Sequence, residues 1–256
     1  MIGGDDDLDD TRAPLLEHLI ELRRRLIWAF GALGVAFCFC YYFAEHIFAF
    51  LVQPLLRAGQ GKLIYTDVFE AFFAKLKVAL FSAIMLSFPV VANQIWRFVA
   101  PGLYKKEKRA LLPFLILTPV LFLSGAAMAY YMAMPLALHF LLGFQGNVGG
   151  IQQEALPAIG NYLAFVTKFL FGFGVAFLLP VLLMLLERAG IVTRGQLVKG
   201  RRYAVVAIFG VAALLAPPDV VSMLLLAVPL VLLYEFALIA IWFTERRRAR
   251  EAEAAA

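Results

Sequence analysis

The chain has 256 residues, 63% of them hydrophobic and 16% charged, with a formal net charge of +5 and a mean hydropathy of +0.84. Soluble domains average about 45–50% apolar and about 25% charged, so a water-facing fold of this size has no means of hiding so much apolar surface, and the bilayer must act as solvent. The bases gather at the ends of apolar runs, which excludes a nucleic-acid footprint, and Cys38 and Cys40 lie inside one such run, with no disulfide or metal pattern.

The chain opens on an acidic segment, "DDDLDD" (Asp5 to Asp10), and residues 1–13 read as a disordered, hydrated leader. Next comes "PLLEHLIELRRRL", headed by Pro14, a favoured first helical residue. Leu15, Leu19, Leu22 and Leu26 form one apolar stripe, while Glu17 and Glu21 share the opposite face at i, i+4. Glu21 can reach Arg24 or Arg25 along the helix. The plainest reading of this face is an interfacial helix kept soluble by Glu–Arg pairs.

Six apolar runs follow: Leu26–Phe43, Phe72–Ala92, Leu111–Met134, Tyr162–Leu186, Tyr203–Ala216 and Val220–Trp242. They predict an all-α integral membrane protein with a single six-helix domain over residues 14–243 and a tail over 244–256. The first run is preceded by arginines, as in an export signal. It is too long for a signal core and lacks a small-residue cleavage pattern, so it reads as a retained anchor.

Between the second and third runs lies "FVAPGLYKKEKR", in which Glu107 is wedged among Lys105, Lys106, Lys108 and Arg109. One reading is a carboxylate that relieves repulsion among bases held at anionic lipid. The other begins from Phe98, Pro101, Leu103 and Tyr104, an apolar, turn-rich platform beside an acid, suited to a basic peptide with an apolar tail.

The last two runs are short. Arg202 and Pro217 enclose 14 residues, roughly 21 Å of helix against a hydrocarbon core of about 30 Å. From Val220 to Glu235 the reach is similar, unless Glu235 faces inward and the helix continues to Trp242. Short spans predict local thinning of the bilayer.

Eighteen of the 23 Lys and Arg residues fall on one side: the N-terminal segment, the loops after runs two and four, and the C-terminus. Arg57 and Lys62 lie on the other side, with Lys75, Lys77 and Lys168 near span ends, where long stems can snorkel. The positive-inside rule predicts both termini in the cytoplasm.

No HExxH, G-x-S-x-G or Walker A pattern is present, and His18, His46 and His139 are scattered, so nothing points to an enzyme or to a cofactor or metal site. The rival class is a secondary transporter of a small solute. It predicts internal repeats and ionisable residues at mid-membrane in broken helices, and neither is visible.

In "PLLEHLIELRRRL", "FVAPGLYKKEKR" and "LAPPDVVS" (Leu215 to Ser222) the chain resembles TatC, the polytopic receptor subunit of the twin-arginine translocase. The resemblance runs from Pro14 to about Phe243. It implies a bacterial inner-membrane protein that exports folded precursors on the proton-motive force. The implied partners are twin-arginine signal peptides, TatA- and TatB-type single-span subunits, the lipid bilayer and further copies of the chain within a receptor complex. It also implies that Glu21 and Glu107 recognise the paired arginines, with His18, Arg23, Phe98, Pro101, Leu103 and Tyr104 shaping the pocket. A guanidinium fork matches a carboxylate in a way that lysine does not.

Further positions tied to structure or partner contact by the resemblance are Pro54, Tyr130, Leu178, Pro217, Pro218, Asp219, Met223 and Glu235. Pro54 is expected to fix a cap on the outer side. Two departures stand out: Leu178 replaces an acid or amide common in relatives, and Ala216 and Met223 replace polar residues flanking the outer turn. A buried polar cluster that loses all its members together is nearly neutral, whereas losing one costs about 1–3 kcal/mol. Partner contact at that surface is therefore expected to rest on packing.

Overall fold

The computed structural model describes residues 6–103, 112–215 and 220–255, and their side chains apart from 6–18, 99–103, 112–113, 148, 152, 247–249 and 251–255. Glu107, Tyr104, Pro217, Pro218 and Asp219 lie outside the described residues, and so do the side chains of His18, Pro101 and Leu103.

Ten α-helices are described. In chain order they are α1 (Asp6–Tyr42), α2 (Ala44–Arg57), α3 (Glu70–Leu103), α4 (Leu112–Met128), α5 (Met134–Leu142), α6 (Ile159–Ala176), α7 (Leu179–Arg188), α8 (Arg194–Lys199), α9 (Arg201–Leu215) and α10 (Val220–Ala255). A π-helical turn, Ala129–Ala133, joins α4 to α5. A small antiparallel hairpin, β1 (Gly146–Val148) with β2 (Ile151–Gln153), was not expected in an all-α chain. Gly149 and Gly150 form its turn with φ of +63° and +89°, values only glycine adopts cheaply.

Five stretches among the described residues are long and apolar enough to cross a membrane: Leu19–Tyr42, Glu70–Phe98, Phe114–Leu142, Ile159–Arg188 and Val220–Arg246. The fifth apolar run forms α9, which has 15 residues, about 22 Å of rise. The shortness expected of this run is therefore real. The guanidinium of Arg201, at the start of α9, lies 2.9 Å from the Glu235 carboxylate on α10. Val220–Glu235 therefore covers the same height as α9. Beyond Glu235, α10 continues as helix and buries Ala237, Leu238 and Ile241.

Two sequence expectations are corrected, while helix α1 is described from Asp6 onward. The loop after the first run contains α2, a 14-residue helix. The fourth run is not one helix: it breaks at Phe177–Leu178 between α6 and α7. Pro180 is the cause, because it has no N–H to offer the carbonyl of Ala176 four residues back.

Small residues set the tightest crossing. A Cβ on Gly125 of α4 would stand 2.6 Å from the Phe173 carbonyl oxygen, and one on Gly174 of α6 would stand 2.7 Å from the Phe122 ring. The backbones of α4 and α6 approach each other through these two glycines, the usual solution where lipid supplies no hydrophobic drive to associate. Phe122, Phe169 and Phe173 fill the core around that contact, and each is at most 1% exposed.

Candidate functional site

Helix α1 packs antiparallel on α3. At one end the Lys75 ammonium lies 5.6 Å from the Tyr41 ring centre. Further along, Ala36 and Cys40 pack with Ala79 and Ala83, small side chains that let the two backbones approach. Glu21 lies 20 residues back from Tyr41, and counting as far along α3 from Lys75 reaches Ile95, within a turn of Phe98. About 30 Å of helix separates that end from the Tyr41 contact. Glu21 and Phe98 thus share one level, at the basic end of the bundle.

Glu21 is partly exposed and already holds a guanidinium. Its Oε1 accepts from Nε of Arg25 at 3.0 Å and also from Nη2 of the same side chain. The i, i+4 pairing is the one expected from the helix period. Arg23 and Arg24 point outward and are exposed.

Phe98 is partly buried near the end of α3, and Pro101 and Leu103 fall in its last turn. Just before them, Trp96 donates its indole N–H to Thr118 Oγ1 at 2.8 Å, and Thr118 donates onward to the Phe114 carbonyl at 2.7 Å. Phe114 also lies tilted against Trp96, 5.7 Å between ring centres, and carries the Arg188 guanidinium 5.0 Å from its own ring centre. This node braces α3, α4 and α7 at the two ends of the segment that contains Glu107. Sequence reasoning missed it. The available signal was a tryptophan in an apolar run, whose N–H needs a partner when buried.

At the other end of the molecule, Pro54 and Tyr130 turn out to be one device. Pro54 lies inside α2 and is buried, so the carbonyl of Phe50, four residues earlier, has no helical N–H to accept. The Tyr130 hydroxyl donates to that carbonyl at 2.7 Å, and the Tyr130 ring stacks on Phe50 at 4.4 Å. The Tyr162 hydroxyl donates to the next carbonyl, Leu51, also at 2.7 Å. Tyr130 sits in the π-helical turn, which re-aims side chains relative to a continuous α-helix.

The rest of this end is laced together. One oxygen of the Glu70 carboxylate accepts the Gly160 N–H at 2.5 Å and the other accepts from Thr66, which ties the start of α3 to the start of α6. Ile64 bridges to Pro157 and Ile159 through the backbone, and Gln60 donates to the Ala155 carbonyl.

Leu178 is the residue before α7, half-buried at the proline break. Met223 packs against the main core as a partly buried residue. Glu235 is engaged by Arg201, while its neighbour Tyr234 donates to the Leu197 carbonyl at 2.8 Å and fastens α10 to α8. The structure thus brings Glu21 and Phe98 to one level at one end and links Tyr130 to the Phe50 carbonyl freed by Pro54 at the other, while Glu235 pairs with Arg201 and Leu178 lies at the α6–α7 break.

The family described as "Sec-independent protein translocase protein (TatC)" matches residues 17–229. The chain belongs to the TatC family. It is 47% identical over 244 residues to the Sec-independent protein translocase protein TatC of Magnetococcus marinus, covering 94% of this chain and 89% of that one. With the TatC of Desulforapulum autotrophicum it shares 42% over 250 residues, 96% and 91% of the two chains. Among solved structures, a crystal structure described as the twin-arginine translocase receptor TatC superposes with a TM-score of 0.75 at 38% identity, covering 87% of this chain and 98% of that one. The comparisons give the small-solute transporter no support.

Proposed function

We propose that the protein is the receptor component of twin-arginine translocation, and that it binds the paired arginines of a folded precursor's signal peptide at the basic end of its bundle. The Glu21 carboxylate takes one guanidinium and Glu107 the other, while Phe98, Pro101, Leu103 and Tyr104 receive the apolar residues beside them. His18 and Arg23 border the pocket. Two carboxylates from separate segments demand two arginines at once, and the surrounding bases repel stray cationic peptides.

The observation that supports this most is the pairing of Glu21 with Arg25 at the level of Phe98. Arg25 occupies one carboxylate oxygen, Oε1, which leaves Oε2 for an incoming guanidinium. Charge-assisted pairing of this kind is about twice as strong as a neutral hydrogen bond and is met best by arginine's planar fork.

Export then requires single-span partners of the TatA and TatB type, further copies of this chain in a receptor complex, and the proton-motive force. The setting is the bacterial cytoplasmic membrane with both termini inside, as the distribution of bases directs. Partner contact involves the surface near Leu178, Met223 and the Pro217–Asp219 turn.

Photocrosslinking of a twin-arginine signal peptide to the protein in membranes tests the assignment. Loss of one charge-assisted contact costs about 1.5–3 kcal/mol, at least tenfold in affinity. Glu21→Ala and Glu107→Ala should each weaken the crosslink by that factor and remove its sensitivity to Arg-to-Lys changes in the peptide. An unchanged crosslink in both variants would place the site elsewhere.

A further inference from the structure

Two lysines on the membrane-facing surface meet no anion among the described residues. Lys77 of α3 and Lys168 of α6 are both exposed, and both line an open groove of about 460 Å3 between these helices. Its walls are otherwise almost wholly apolar, with Phe81 and Ile84 on one side and Leu163 and Phe171 on the other. Among the described residues neither lysine makes a hydrogen bond or ion pair. The nearby acids are already committed: Glu45 to Lys75, and Glu70 to Thr66 and Gly160.

The two ammonium groups share a depth. Glu70 ties the first residue of α3 to Gly160 of α6, so the helices start level. Lys77 lies seven residues beyond Glu70 and Lys168 eight beyond Gly160, about 10 and 12 Å down the helices. Each also stands 20 residues from a base at the opposite end, Lys77 from Arg97 and Lys168 from Arg188. Along the unbroken α3 that interval is about 30 Å of helix, the thickness of the hydrocarbon core, and the Glu70–Gly160 tie sets Lys168 at the depth of Lys77. Both lysines therefore sit at one boundary between hydrocarbon and headgroups, on the leaflet opposite Arg97 and Arg188.

From this we infer that the groove is a binding site for an anionic phospholipid. Its phosphate bridges Lys77 and Lys168, and one acyl chain lies along Phe81, Ile84 and Phe171. An unpaired ammonium at the edge of the hydrocarbon is costly, and a lipid phosphate supplies the missing charge where the stems end. The apolar walls continue from that level into the membrane, so headgroup and chain are matched together. The inference is independent of the signal-peptide site.

The test uses the full chain in nanodiscs that contain either phosphatidylglycerol or phosphatidylcholine carrying a photoreactive group on one acyl chain, with labelled peptides mapped by mass spectrometry. Phosphatidylglycerol should label the segments bearing Phe81 and Phe171 in preference to phosphatidylcholine. The preference should fall about fivefold in either Lys77→Gln or Lys168→Gln and about 25-fold in the double variant, given the usual worth of one base at an anionic surface. The double variant Lys77→Arg with Lys168→Arg should keep it, which separates charge from folding. Equal labelling by the two lipids, or a preference that survives the double Gln change, overturns the site. It is overturned also if millimolar inorganic phosphate abolishes the preference, since a free anion would then be the ligand. The same holds if a co-reconstituted single-span partner, and no lipid, is the species crosslinked in the groove.

Discussion

Pro54 shows how a single missing hydrogen reaches across the structure. Its position in α2 orphans the Phe50 carbonyl, and the Tyr130 hydroxyl, from a helix 80 residues away in sequence, fills the vacancy. The pair should therefore behave as a unit in a double-mutant cycle. Tyr130→Phe leaves a part-buried acceptor unmet and should cost about 1–3 kcal/mol in thermal or denaturant unfolding in detergent. In a Pro54→Ala background the new backbone N–H serves Phe50, so the same change should cost less by about 1 kcal/mol. Strict additivity of the two changes would show that the proline and the tyrosine act separately. Trp96→Phe is a parallel case: it removes the donor to Thr118 while keeping the ring against Phe114. A loss of about 1 kcal/mol is expected in unfolding, together with weaker signal-peptide crosslinking, because the brace flanks the segment that carries Glu107.

Among the elements, the crossing of α4 and α6 tolerates least. A methyl group on Gly125 would meet the Phe173 backbone, which cannot rotate away. Gly125→Val should therefore separate the two helices and cost several kcal/mol, at the upper end of what overpacking produces. The readout is loss of the cooperative unfolding transition in detergent, and a variant with parental stability would contradict the close approach. The α6–α7 break belongs to the same scale. Pro180→Ala supplies the N–H donor that the Ala176 carbonyl lacks, and it should raise helicity at residues 176–180 as read by hydrogen exchange. The Arg201–Glu235 pair, with both side chains about half exposed, is worth at most about 1 kcal/mol. Its use is to mark height, since it fixes α9 and the first 15 or so residues of α10 at one level.

Across the whole molecule, the mismatch between helices of unequal length matters most. Stretches of 24 to 30 residues stand beside α9, with 15. The bilayer should be thinner along the α9–α10 side than elsewhere, by up to about 8 Å at full mismatch. Insertion of four or five apolar residues into α9 should remove the local thinning, measured with depth-calibrated quenchers attached along α9 and along α3. Equal depth profiles on the two sides of the unaltered protein would refute it. Orientation belongs to this scale too: the 18 bases that the sequence assigns to one side come from four separate segments, so the expected orientation does not rest on any single loop.

Much of this was legible in the chain alone. Apolar runs of membrane length, the bias of lysine and arginine to one side and the shortness of the fifth run depend only on composition along the sequence, because the bilayer imposes one length and one polarity on any helix that crosses it. Glu21 beside Arg25 was legible for the same local reason, the 3.6-residue period. Tertiary structure alone decided which carbonyl Tyr130 serves, that Trp96 reaches Thr118, that Gly125 and Gly174 touch facing aromatic residues, and that Lys77 and Lys168 come level. These contacts join residues far apart in sequence, and their geometry depends on helix register, on the carbonyl that Pro54 frees within α2 and on the break before Pro180. A periodic pattern says which face of a helix is apolar; it carries no information on what that face meets.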